Sequence, residues 1–314
     1  MLEEDSRPAT TRVDAMEAGI SHPWMLAAGL PLPLIPLLLA QRAGARRRIL
    51  ISYLGGRSSR VVAILGYARA IGILLAVLAA SGVYIVRVTW IPASGVSGEV
   101  LAEVPALHIV LVDDSKSIGP HIGETRSFVE SYLEALGPKD RVAVYKFHMR
   151  VEEVCSPGPP QGCVGNLSMI RGASRYTAIG TALGYAATVA RATGLPIVVV
   201  LVSDGANNMG PDPKTVARGI DEGNVAVALV KVGEDPRSIL EELAQETGWP
   251  LYKLGSNPPP GVLADLARDL YKEAKVEAAS VDGMIPIERR DYTPTTILLL
   301  ASLVLLASSK VTGP

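Results

Sequence analysis

The sequence is short of charge, histidine and cysteine, and it has no excess of either sign. Only 19% of its 314 residues are Asp, Glu, Lys or Arg, against about 25% in an ordinary soluble domain. Thirty Lys and Arg face 31 Asp and Glu, a net charge of -1, so no global field points to nucleic acid and none is expected as a partner. The four histidines, His22, His108, His121 and His148, lie in no catalytic context, and neither a G-x-S-x-G elbow nor a G-x-x-x-x-G-K-[ST] phosphate loop occurs. Asp113, which ends an apolar run, is followed two places on by Ser115, so the D-x-D pair of a phosphoryl-accepting aspartate is missing too. These absences argue against an enzyme. Two cysteines with no second cysteine or histidine pair also argue against a zinc site.

What the chain has instead is apolar sequence gathered at its two ends. Mean hydropathy is +0.29 and 48% of residues are hydrophobic. After an acidic tail, 1–21, which is unlike a signal peptide, the uncharged stretch 22–40 has the length of a membrane span. Its prolines, Pro23, Pro31, Pro33 and Pro36, count against a regular helix but are better tolerated in membranes than in water. A second span is expected over 61–88, where the apolar run to Val86 is interrupted only by Arg69, which can snorkel to the interface. A third is expected over 293–309, with a peripheral or buried hydrophobic tail as its alternative, before a short tail, 310–314. The loop 41–60 holds Arg42, Arg46, Arg47, Arg48, Arg57 and Arg60. By the positive-inside rule this loop is cytoplasmic, which makes a multi-pass cell-membrane protein whose segment from about Val88 to Asp291 is extracytoplasmic. Lipid head groups or a cytosolic partner are a second use for the arginines, with the same topology. On that oxidising side Cys155 and Cys163, in "CSPGPPQGC", are expected to form a disulfide across a segment able to turn back, two free thiols being the alternative.

Between linkers 89–104 and 279–292, the middle of the chain reads as one α/β domain. Short β-branched runs, "LHIVLVD", "RVAVYKF", "IVVVLVSD" and "VAVALVKV", alternate with helical patterns. That predicts a doubly wound, mostly parallel sheet with helices on both faces. The runs are continuously hydrophobic, as in strands buried on both sides. "NPPPG" reads as a loop.

Two of these strands end in oxygen. "LHIVLVDDSKS" closes on Asp113, Ser115 and Ser117, and "IVVVLVSDG" on Asp204. Ligand sites in open α/β sheets form at carboxyl ends of strands, and carboxylates with hydroxyls suit a hard divalent cation such as Mg²⁺. Capping of a helix by Asp and Ser is the plainer reading of the turn alone. With the threonine of "RYTAIGTALGYA" and the later "VSDG", the segment 105–278 resembles the von Willebrand factor A (VWA) domain and its metal-ion-dependent adhesion site. The resemblance implies Asp113, Ser115, Ser117, Thr177 and Asp204 as the metal residues. It also implies Mg²⁺, or Mn²⁺ or Ca²⁺, as the ion, and an Asp or Glu of a partner protein as its last ligand. Arg175 and Tyr176 stand where the family commonly has a glycine pair, with Ser174 and Thr181 as nearby hydroxyls. The whole layout, with "HPWML" and "RRRILISYL", is similar to membrane-anchored Bat, or aerotolerance, proteins. That likeness implies a MoxR-type ATPase as a functional partner. The alternatives are an assembly subunit of a membrane complex with a purely structural metal and, less favoured, a metal-dependent hydrolase; few spans argue against a transporter.

Overall fold

The structure is a computed structural model that describes residues 13–29, 31–35, 38, 42, 59–220, 224–234, 238–255, 258–259 and 261–311. They fall into two compact units, one over Trp90–Ile287 and one made of the described parts of Thr11–Thr89 and Glu288–Pro314.

The first unit is organised by a six-stranded sheet. Its strands are β3 (Leu107–Asp113), β4 (Arg141–Phe147), β5 (Val151–Gly158), β6 (Ile197–Ser203), β7 (Val225–Val232) and β8 (Leu251–Leu254), in the order β5-β4-β3-β6-β7-β8. Five run parallel and β5 pairs antiparallel with β4. Every residue of β3 and β6 is buried, because both faces are covered and side chains alternate between them. Val110, Val112, Val198, Val200 and Val202 join a core with Phe128 and Tyr132 of one helix and Leu270, Tyr271 and Ala274 of another. Ile109, Leu111, Val199 and Leu201 join a second core with Ile179, Ala182 and Leu183 on the opposite face. Each such aliphatic side chain contributes at most about 1.5–3 kcal/mol of burial. The helices concerned are α4 (Ile122–Ala135) and α8 (Val262–Ala279) on the first face, and α5 (Ile179–Arg191) and α7 (Ile239–Thr247) on the second. Two short helices, α3 (Gly98–Glu103) and α6 (Pro213–Ala217), complete the unit. The doubly wound α/β arrangement expected from the strand–helix alternation is the one observed, with β5 as its antiparallel exception. That edge is closed: Cys155 is disulfide-bonded to Cys163 with Cα atoms 5.5 Å apart, and Asn166 Nδ2 donates to the Val154 carbonyl at 3.1 Å, which blunts an otherwise open strand.

The second unit contains α1 (Pro23–Gly29), α2 (Ser59–Ala80) and α9 (Thr293–Val311), with α2 packed on α1 and on α9. A three-stranded sheet runs in the order β1-β2-β9, from β1 (Val13–Ile20), β2 (Val83–Pro92) and β9 (Met284–Asp291); β1 and β2 are antiparallel. This differs from the sequence expectation in three places. Over 22–40 the described residues give a helix over Pro23–Gly29, a turn over 31–33 and helical residues again at 34–35 and 38, and the prolines of the turn supply no N–H to a helix. Over 61–88 the helix ends at Ala80, Gly82 takes a left-handed φ of 69°, and the β-branched run from Val83 is a strand. The stretches 89–104 and 279–292 contain the end of β2, α3 and β9 rather than plain linkers. Among the described residues no helix is long and apolar enough to cross a membrane. Most of the N-terminal tail 1–21 and of the arginine-rich loop 41–60, and residues 312–314 of the last tail, lie outside the described residues.

Candidate metal centre

Strand order reverses between β3 and β6: the chain leaves β3 toward β4 and β5 on one side, while β6 leads to β7 and β8 on the other. The crevice at the carboxyl ends of these two strands is the place where an open α/β sheet forms ligand sites. Asp113 ends β3, and Asp204 directly follows β6.

Asp113 is fully buried. Its Oδ1 accepts the Ser115 N–H at 2.9 Å and its Oδ2 accepts the Ser203 hydroxyl at 2.6 Å. Burial pushes its carboxyl up to about 7, the Ser203 and Ser115 hydrogen bonds oppose this, and the Asp204 charge adds to it. A negative charge is therefore under-compensated here. Ser115 is buried and Ser117 exposed, and their hydroxyls are hydrogen-bonded to each other at 2.9 Å. Adjacent oxygens around an octahedral ion with bonds of about 2.05 Å are also roughly 2.9 Å apart, so both hydroxyls fit one edge of a Mg²⁺ shell.

Thr177 is buried on the loop before α5 and is tied to the loop after Asp204. Its N–H donates to Asn208 Oδ1 at 2.9 Å, and its carbonyl accepts the N–H groups of Asn208 and Met209 at 3.1 and 3.2 Å. Asn207 Oδ1 accepts the Ile179 N–H at 3.0 Å, filling the start of α5. Asp204 itself accepts the Ala206 N–H at 2.9 Å. The turn between them needs glycine: Gly205 has φ 87°, and a Cβ there would lie 1.8 Å from Ser238 Oγ. Of the neighbouring hydroxyls, Ser174 accepts the Tyr176 N–H at 3.2 Å, and Thr181 lies on α5 beside Gly210.

Four residues of this architecture were not singled out in the sequence. Ser203 orients Asp113. Asp114 turns inward, its Oδ1 accepting the N–H groups of Arg171 and Gly172, each at 2.6 Å, and its Oδ2 facing Lys146 Nζ at 3.3 Å. Asn207 and Asn208 connect the Asp204 loop to the Thr177 loop. The string "VSDGANN" was visible, but which way each side chain points is settled only by the fold. Among the described residues no group of three or more His, Cys, Asp or Glu side chains is placed to hold a metal. The set at the crevice, two carboxylates and three hydroxyls, has the oxygen chemistry of a hard-cation site and no soft ligand.

The chain matches the von Willebrand factor type A domain family over residues 109–255. That segment is a VWA domain. No curated protein sequence matches the chain. Solved structures it resembles include the conserved hypothetical protein BatB from Bacteroides thetaiotaomicron, 16% identical over 54% of this chain and 99% of that one, with a TM-score of 0.45. An aerotolerance-related membrane protein from Bacteroides fragilis is 14% identical over 54% and 98%, at 0.44. Proximal thread matrix protein 1 from the mussel byssus, solved with a zinc-occupied MIDAS motif, is 21% identical over 54% of this chain and 48% of its own, at 0.47.

Proposed function

We propose that this VWA domain is a binding module that holds a divalent cation, Mg²⁺ before Mn²⁺ or Ca²⁺, at the β3–β6 crevice, and through it takes an Asp or Glu carboxylate from a partner protein. The observation that carries the reading is the pair of hydroxyls, Ser115 and Ser117, 2.9 Å apart beside the buried and under-compensated Asp113. Bound there, a dication would supply positive charge that neutral hydroxyls leave incompletely neutralised, so an incoming carboxylate would complete it. Ser115 and Ser117 would be direct ligands, with Thr177 direct or through water and Asp113 and Asp204 through water. Ser203 and the Ser115 N–H hold Asp113 in place, and Asn208 holds Thr177. No catalytic step is part of this reading.

The test uses the full chain in detergent. Mn²⁺ should bind with one-to-one stoichiometry by electron paramagnetic resonance and be displaced by Mg²⁺, and a glutamate-containing peptide should alter the Mn²⁺ spectrum. No Mn²⁺ binding would overturn the reading. Binding that no carboxylate perturbs would leave a structural metal, as in an assembly subunit.

The same proposal places the second unit at a membrane. Trp24, Leu32, Leu34, Ile35 and Leu38, Tyr67 and Ile71 of α2, and Ile297, Leu300, Leu303 and Val304 of α9 are all exposed, a density of apolar surface that a water-facing unit rarely shows. The arginines of 41–60 support a cytoplasmic loop. The chain should stay with membranes through alkaline carbonate, and in intact cells a cysteine beside Asp212 should be labelled while one beside Gly44 is spared. Release by carbonate would overturn the anchoring. Reversed labelling would put the VWA domain in the cytoplasm, where a MoxR-type ATPase could reach it directly.

A further inference from the structure

The rim of the metal position is basic and rigid. Lys116, Arg171 and Arg175 are exposed, and they sit on two backbone segments fastened together: Ser115 and Ser174 form a parallel bridge, the Lys116 N–H donates to the Ser174 carbonyl at 2.6 Å, and the Ser174 N–H donates to the Asp114 carbonyl at 3.0 Å. Asp114 also fixes the backbone of Arg171, and Asn208 Nδ2 donates to the Arg175 carbonyl at 3.3 Å. Among the described residues, no ion pair or hydrogen bond engages the charged ends of these three side chains. Two other surface cations of this unit are paired, Lys214 with Glu242 at 2.7 Å and Arg218 with Glu246. The acids next to the rim in sequence, Asp113 and Asp114, are buried, Asp212 accepts from Thr215, and Glu124 and Glu234 pair with none of the three cations. Two exposed apolar side chains flank Thr177: Tyr176, which precedes it, and Met209, whose N–H bonds the Thr177 carbonyl.

We infer that the partner segment is polyacidic, with at least one further Asp or Glu beside the carboxylate that meets the metal, and an apolar or aromatic residue that packs on Tyr176 and Met209. This rests on the metal-and-carboxylate reading above and goes further by naming what the partner must carry. Preorganised cations whose backbones are already fixed cost little ordering on binding, and rim charges act mainly on association rate and salt dependence. Arg175 and Tyr176 occupy the two positions directly before the metal threonine, so they are placed to meet the neighbours of the metal-bound carboxylate.

The experiment measures binding to the full chain in detergent, with Mg²⁺ and at low salt, of three fluorescent probes: a peptide of eight glutamates ending in tryptophan, a Gly/Ser peptide of the same length with one glutamate and the tryptophan, and an eight-nucleotide oligothymidylate. The octaglutamate should bind at least about tenfold more tightly than the single-glutamate peptide, and the advantage should shrink to about twofold at 0.5 M salt. Arg171→Glu with Arg175→Glu should erase the advantage of the octaglutamate over the single-glutamate peptide, and Arg171→Lys with Arg175→Lys should restore most of it. Equal binding of the two peptides, an unaffected double Glu variant, or oligothymidylate binding as well as octaglutamate would overturn the inference. If instead the octaglutamate advantage survives in EDTA and still falls in the double Glu variant, the basic rim stands and the metal reading fails.

Discussion

Asp113→Asn is expected to abolish Mn²⁺ binding and yet, with EDTA present at pH 8, to stabilise the protein by about 1–3 kcal/mol. Both effects follow from one buried carboxylate. Burial raises its folded-state value to about 7, whereas in the unfolded chain an aspartate titrates near 3.9. A group whose value is raised on folding contributes stability that is fully present below its unfolded value and lost as pH rises through its folded value. Without metal, wild-type stability should therefore decline between about pH 4 and pH 7, and the asparagine variant should not share the decline. The full penalty is moderated because one oxygen of Asp113 accepts from Ser115 N–H, and an amide there can leave one of the two donors unsatisfied, at a cost of about 1–3 kcal/mol. Saturating Mg²⁺ should reverse the order at pH 8, since only the wild type gains from binding. Urea titrations across pH 4–8, with EDTA and with Mg²⁺, read all of this. A variant less stable than wild type at pH 8 in EDTA would show that Asp113 is not an under-compensated charge.

The first unit was legible because its signals agree. "IVLV" and "IVVVLV" are hydrophobic without alternation, which only a strand covered on both faces can satisfy, and the intervening helices carry apolar residues on one side. The second unit was legible only in part, for a physical reason. An uncharged run such as "AIGILLAVLAASGVYIV" satisfies a membrane-span template whether or not the helix continues, and the residue that decides is Gly82, whose left-handed φ lets the chain leave α2 and enter β2. Val83–Pro92 then pairs with Val13–Ile20, a partner about 70 residues earlier that no local pattern announces. At the metal position, "DDSKS" showed that oxygens gather after β3, but not that Asp113 and Asp114 diverge, one to the crevice and the other to the backbone of Arg171 and Gly172. The directions come from the loop 170–177, brought there by the fold.

Lys275→Met is expected to cost about 3–5 kcal/mol, the loss that follows when one member of a buried ion pair is removed. Lys275 and His108 are fully buried and Asp140 nearly so, at the end of the sheet opposite the metal position. Asp140 is the hub: its Oδ1 accepts the Ala106 N–H at 3.1 Å and Lys275 Nζ at 2.7 Å, and its Oδ2 accepts the Gly137 N–H at 2.9 Å, the Tyr271 hydroxyl at 3.1 Å and Lys275 Nζ at 2.9 Å. One carboxylate thereby joins the start of β3, the turn before β4 and helix α8. Burial alone would raise its carboxyl, but His108 and Lys275 outweigh burial and hold it below the usual range; burial likewise lowers Lys275 and His108. Methionine fills the lysine's volume, so little of the loss can be assigned to a cavity. What remains is an anion with three neutral donors and no cation. Adding Asp140→Asn to Lys275→Met should recover a large part of the loss, because a pair replaced together costs far less than a pair broken. The single variant carries a second signature. His108 Nδ1 is 2.7 Å from the Tyr132 hydroxyl, while its Nε2 is unpartnered and 3.6 Å from Asp140 Oδ2. With the lysine gone, a proton on Nε2 supplies the missing cation and the folded-state value of His108 rises. Relative to the wild type, in which burial holds His108 low, stability in Lys275→Met should then be regained as pH falls from about 7.5 to 5.5, the window around an ordinary histidine; the Asp113 contribution is common to both proteins and cancels in the difference. Urea unfolding of the wild type, the single and the double variant at both pH values decides it: a loss under about 1 kcal/mol, or a double variant as weak as the single, would remove Asp140 from its place as the hub.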